Sequence, residues 1–105
     1  KSQGTRRPQQ MKVVLSPQAR EDLREIFLYI AEDNPHAARL VLTRIRERVA
    51  ELKDNPHIGR PGRVPGTREL VIAKTPYLTP YQVSDDTLQI LRVYHGSRQW
   101  PESFN

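Results

Sequence analysis

The chain contains no cysteine. A disulfide framework, a thiolate metal site and a thiol nucleophile are therefore excluded. Histidine is nearly as scarce. His36, His57 and His95 are scattered along the chain, too thin a set for metal ligation, and neither metal nor cofactor is expected. Apolar residues make up 36% of the 105 positions and aromatics 7%. That suffices for one small domain with a thin, two-layered core, not for two domains. No apolar run approaches the roughly 18 residues of a membrane-spanning helix. No apolar stretch follows the basic N-terminus as it would in a secretory signal. A cytoplasmic location is the expectation.

Acidic residues are lacking in particular places. Eight of the twelve lie between Glu21 and Asp54, and residues 1–10 hold Lys1, Arg6 and Arg7 with no acid. Without that segment the net charge of +5 falls to 14 basic minus 12 acidic residues, or +2. Residues 56–74 carry Arg60, Arg63, Arg68 and Lys74 against Glu69 alone. Such a surface attracts nucleic acid or an acidic protein segment, unless it is only solvated arginine.

Residues 1–10 are polar and aperiodic, and are expected to be a disordered extension or cloning remnant, with a single domain over 11–105. Met11–Leu15 predicts a short strand. Ser16-Pro17 is a helix start, with serine as N-cap and proline at the first helical position. Glu21 and Asp22 follow near the positive end of that helix dipole. Ala19, Leu23, Ile26, Phe27 and Ile30 form one apolar stripe. The helix is expected to end near Asp33. Asn34-Pro35 repeats the start signal, and Ala38, Val41, Leu42, Ile45, Val49 and Leu52 make the second stripe, with Asn55-Pro56 as its end. Two amphipathic helices so closely linked make an antiparallel hairpin.

Residues 56–66 (PHIGRPGRVPG) hold three prolines and three glycines and form a loop. Its glycines are expected to supply positive φ, and Ile58 and Val64 to plug the core edge. Strands are predicted at Arg68–Ile72, Tyr77–Val83 and Thr87–His95, joined as an antiparallel meander. Pro80 conflicts with a central strand, so a bulge or an unpaired amide is expected there. The whole reads as α+β. An N-terminal strand and a helical hairpin precede a three-stranded antiparallel meander. The helices pack on one face of a mostly antiparallel four-stranded sheet. The other face is left partly polar or open to a partner.

The last predicted strand ends in a cluster of Arg92, Tyr94, His95, Arg98 and Trp100. A strand that carries cations and aromatics to its own end mounts a functional patch on a rigid support. Each member also has a plainer role. Arg92 is placed to pair with Asp85, Asp86 or Glu69. His95 suits a hydrogen-bonded strand end, and Trp100 with Pro101 suits a lid on the sheet. Tyr77, Tyr81 and Tyr94 suit cross-strand packing.

Four landmarks resemble the RelE/ParE superfamily of type II toxin–antitoxin toxins. They are Leu15-Ser16-Pro17-Gln18-Ala19 with Asp22-Leu23, the segment Tyr29–Ala38, Gly59-Arg60-Pro61-Gly62-Arg63 with Gly66–Val71, and Ile90–Pro101. The resemblance spans Met11 to Pro101, and the segment Tyr29–Ala38 is closer to the ParE branch. It implies the fold just described and a cognate antitoxin with an acidic C-terminal segment. That segment would lie along the helical hairpin and meet Arg60, Arg63, Arg68 and Arg98.

The resemblance also implies one of two activities. ParE-like members poison DNA gyrase and are not enzymes in that role. RelE-like members are metal-independent, ribosome-dependent mRNA endonucleases. Metal-free RNA cleavage needs a base, an acid and cations around one phosphate. Here the nuclease set reduces to His95, Arg68, Arg92 and Arg98, with Leu78 where RelE-like toxins bring a strand arginine. Gyrase poisoning, with Arg92, Tyr94, His95, Arg98 and Trp100 as target contacts, is the expectation. The alternative is mRNA cleavage.

Overall fold

The computed structural model describes residues 11–97. Strand β1 spans Lys12–Leu15, helix α1 Pro17–Ala31 and helix α2 Pro35–Ala50, followed by a 3-10 turn at Glu51–Lys53. Strands β2 (Arg60–Pro61), β3 (Arg68–Val71), β4 (Tyr77–Ser84), β5 (Thr87–Ile90) and β6 (Tyr94–His95) complete the chain in order. Both helices start as the sequence dictates. Ser16 Oγ accepts from the Ala19 amide at 2.9 Å and Asn34 Oδ1 from the Ala37 amide at 3.0 Å, each with proline in the first turn.

The sheet runs β1-β5-β4-β3-β2, with β6 also paired to β4. β1 lies parallel to β5 and every other pair is antiparallel. The predicted strands are present, the last of them split into β5 and β6, and one short strand, β2, was not expected. The hairpin packs on one face. Ala19, Ile45 and Leu52 meet Leu70, Ile72, Tyr77, Tyr81, Leu88, Ile90 and Val93 in one core. Alternation along β5 explains which side is wet, since Leu88 and Ile90 are buried while Gln89 is exposed. Gln82, opposite Gln89, is exposed on the same outer face.

The predicted strand Thr87–His95 is interrupted, and Pro80 is the reason. Tyr81 pairs with Ile90 and Leu78 with Tyr94. Between those pairs, two residues of β4 (Thr79, Pro80) face three (Leu91, Arg92, Val93), which is a bulge. Paired residues in an antiparallel ladder normally exchange two bonds. Pro80 O accepts from the Leu91 amide at 2.9 Å, but proline has no N–H to return. The orphaned Leu91 carbonyl accepts instead from Ser16 Oγ at 2.7 Å. Ser16 thus caps α1 and completes the ladder that proline breaks.

The loop 56–66 corrects two expectations. Among its glycines only Gly66 has positive φ, at 82°. Gly59 is required by close approach, because a Cβ there would stand 2.7 Å from Tyr81 Oη and Cε1. Tyr81 Oη accepts from the Gly59 amide and donates to Pro56 O, both at 2.9 Å. Val64 plugs the core edge as expected, but Ile58 stays 40% exposed.

Ser16→Ala removes the cap and leaves the Leu91 carbonyl unpaired. The expected loss is about 1–3 kcal/mol in urea unfolding. Ser16→Thr, which keeps the hydroxyl, should recover most of it.

Candidate functional site: the C-terminal strand and its supports

The bulge turns Arg92 away from its predicted partners. It pairs with neither Asp85, Asp86 nor Glu69, but with Asp22 of α1. Arg92 Nε donates to Oδ2 at 2.7 Å and Nη2 to Oδ1 at 2.9 Å, a bidentate fork. The same Asp22 Oδ2 accepts the Val93 amide at 2.9 Å. Asp22, expected near the positive end of the helix dipole, is 6% exposed. The Arg92 carbonyl accepts from Thr79 Oγ1 at 2.6 Å. Arg92 Cζ also lies 4.9 Å from the Tyr94 ring centroid. The hydrogen bonds to Asp22 raise the guanidinium above its already high ordinary value, so it is charged at any working pH.

β6 follows directly. Tyr94 is buried and His95 exposed. The His95 ring stands edge-on to Tyr77 at 5.7 Å. Its Nδ1 accepts from the Ser97 amide at 3.2 Å and lies 2.8 Å from Ser97 Oγ. With Nδ1 occupied as acceptor, the neutral ring carries its proton on Nε2. The Gly96 amide donates to Pro76 O at 2.7 Å, holding the turn after β6.

The arginines of the loop converge elsewhere. Glu69 is 2% exposed. Arg60 Nη2 and Arg63 Nε reach its carboxylate at 3.1 and 3.0 Å, and the Arg63 amide donates to it at 2.9 Å. Burial pushes this carboxyl up, but the Arg63 amide and the two guanidinium groups outweigh it and hold the pKa below the ordinary 4.5. Arg68 Nη1 donates to the Gly59 carbonyl at 2.7 Å and to the His57 carbonyl at 3.3 Å. These arginines staple the loop to β3.

The nuclease set is not assembled among the described residues. Arg68 faces Tyr81 and His95 faces Tyr77. Four residues along β4 separate them, about 13 Å at strand rise. Tyr77–Tyr81 brings no cation between them and is buried throughout. Of the target contacts, His95 is on the surface, Tyr94 is interior and Arg92 is held by Asp22. Arg98 and Trp100, and the segment 1–10, lie outside the described residues. Asp22 and Thr79 were missed as site residues. Asp22 had a signal: it lies three residues from Ala19 and four from Ile26, an acid inside the apolar stripe. Thr79 had none.

A second feature follows the helical hairpin. Two cavities of about 230 and 350 Å³ adjoin, sharing Leu23 and Arg46. Their floors are apolar, with Val13, Leu15 and Val49 in one and Phe27, Leu28 and Leu42 in the other. Arg20, Arg24, Arg46 and Lys53 flank them, and no acid lines either. The groove ends at β1, one of the two edge strands of the sheet. Among the described residues there is no cluster of three His, Asp or Glu side chains able to hold a metal. No helix among them is long and apolar enough to cross a membrane.

Residues 13–100 match the family model described as the ParE toxin of the type II toxin–antitoxin system parDE. The chain belongs to this family of toxins. It is 49% identical over 80 residues to a putative toxin, Y4kP, of Sinorhizobium fredii, covering 76% of this chain and 82% of that protein. It is 33% identical over 87 residues to toxin RelE2 of Caulobacter vibrioides, covering 83% and 97%. Among solved structures it is similar to the chromosomal ParDE system of P. aeruginosa, with a TM-score of 0.73 and 31% identity over 82% of this chain and 96% of that one. It is also similar to the RelBE2 toxin–antitoxin complex of Mycobacterium tuberculosis, with a TM-score of 0.56 and 26% identity over 82% and 98%. The α+β fold read from the sequence is the fold of these toxins.

Glu69 ties its stability to pH. Its folded pKa is depressed, so its contribution is present above about pH 4.5 and lost as pH falls through the folded value. Glu69→Gln should lower stability at pH 7 by about 1–3 kcal/mol. It should also flatten the loss on acidification in urea titrations between neutral and acid pH. A variant as acid-sensitive as the parent would contradict this assignment.

Proposed function

We propose that this toxin arrests growth by docking on DNA gyrase through its C-terminal strand, and is silenced by an antitoxin bound along the helical hairpin. The observation that carries the first part is the dispersal of the candidate nuclease groups. Arg92 is committed to Asp22, Arg68 to loop carbonyls, and about 13 Å of cation-free strand separates Arg68 from His95. Among the described residues, developing phosphorane charge would meet no preorganised cations there. A rigid strand with one exposed imidazole suits contact with a protein target better. The match to the ParE family model, and the greater likeness to a ParDE than to a RelBE2 structure, support the same reading.

The antitoxin part rests on the groove. Its apolar floor and wholly cationic flanks fit an acidic, amphipathic segment that folds on binding. Arg60 and Arg63, engaged with buried Glu69 at the opposite edge of the sheet from β1, are not part of that groove. The two toxin–antitoxin structures to which the chain is similar are consistent with such a partner.

Two assays run together decide the target. Purified toxin should block gyrase supercoiling and leave mRNA on translating ribosomes intact. Ribosome-dependent mRNA cleavage that disappears in His95→Ala, with supercoiling unaffected, would replace this reading with the nuclease one. For the antitoxin, Arg46→Glu should weaken binding about tenfold at low salt and less at high salt. Calorimetric titration at two ionic strengths measures both, and equal affinity to the parent would remove the groove from the interface.

A further inference from the structure

We propose that Asp22 is the positioning residue that sets the register in which the C-terminal strand β6 pairs with β4. This rests on the reading of that strand as the target-docking element. The bulge at residues 91–93 releases β6 from the register of β5. A strand that slips by one residue presents its opposite face, so β6 would exchange buried Tyr94 for exposed His95. Something must choose. Asp22 holds the bulge at two successive residues, by its bonds to the Arg92 guanidinium and to the Val93 amide. Thr79 fixes the carbonyl between those two groups.

Stability is a weak reason for this arrangement. A buried carboxylate loses its hydration, and a buried ion pair is often no more stabilising than apolar residues of the same size. Position 22 also falls in the apolar stripe of α1, where a leucine would pack. The best-attested use of a buried ion pair is to specify register. Here the register is that of the last described strand, and its consequence is which side chain faces outward.

The double variant Asp22→Leu with Arg92→Leu separates positioning from support. Its urea midpoint should stay close to that of the parent. Amide exchange at Val93–Ser97 should accelerate about tenfold or more while the β4–β5 ladder keeps its protection. Gyrase inhibition should fall in step. Unchanged exchange at Val93–Ser97, or acceleration spread evenly over the whole sheet, overturns the proposal. If the double variant does not fold, Asp22→Asn is read by the same comparison, since the amide still accepts from Val93 but loses the ion pair. Local acceleration with undiminished gyrase inhibition would uphold the positioning role and reject the docking strand instead.

Discussion

A single buried carboxylate joins the two layers of this toxin. Asp22 reaches from the first helix into the sheet and takes both the guanidinium of Arg92 and the amide of Val93. A carboxylate without such partners would not tolerate that site. Each bond in turn explains a neighbour. The bidentate fork fixes Arg92, which lies over the Tyr94 ring. The amide bond sets where β6 begins. The bulge and the terminal strand therefore take their observed form against the hairpin.

The reason a bulge exists at all is covalent. Pro80 sits in the middle of β4, where its missing amide would orphan the carbonyl opposite. Ser16 supplies the donor from the start of α1. Around this one proline, Leu91, Arg92 and Val93 find partners in Pro80, Ser16, Thr79 and Asp22. On the far side of the sheet the loop arginines solve a similar problem for Glu69. The protein handles two polar groups in dry places with two different devices, a hydroxyl bridge and a guanidinium pair.

Much of this is legible in the sequence. The Ser-Pro and Asn-Pro starts, the two apolar stripes and the turn chemistry gave both helices, the four main strands and the conflict at Pro80. Those signals are local, carried within a few residues of the chain. The pairings that make the site are not. Arg92 had three acids near it in sequence or in the expected sheet, and the one it uses is 70 positions away. The register shift that decides this arises from a missing donor on the neighbouring strand, and no periodicity within 87–95 encodes it. Likewise, the density of arginine in 56–68 announced a charged surface. It did not announce that a buried glutamate would gather two of them. The family resemblance, resting on order and spacing of short motifs, reached the fold and the toxin class. It offered no partner within the chain for any individual side chain.

The parallel pairing of β1 with β5 orders events in time. Lys12–Leu15 can be bonded only after Thr87–Ile90 has been made, and Ser16 and Asp22 wait for residues 75 and 70 positions later. A chain still emerging from the ribosome can form the helical hairpin and the local β3–β4 ladder, but it cannot close the sheet. The contacts with the greatest sequence separation are slow to form, and here they are also the ones that shape the end of the molecule. A chain built this way completes its C-terminal strand last, so a nascent or truncated chain holds its helices while that strand is still unset.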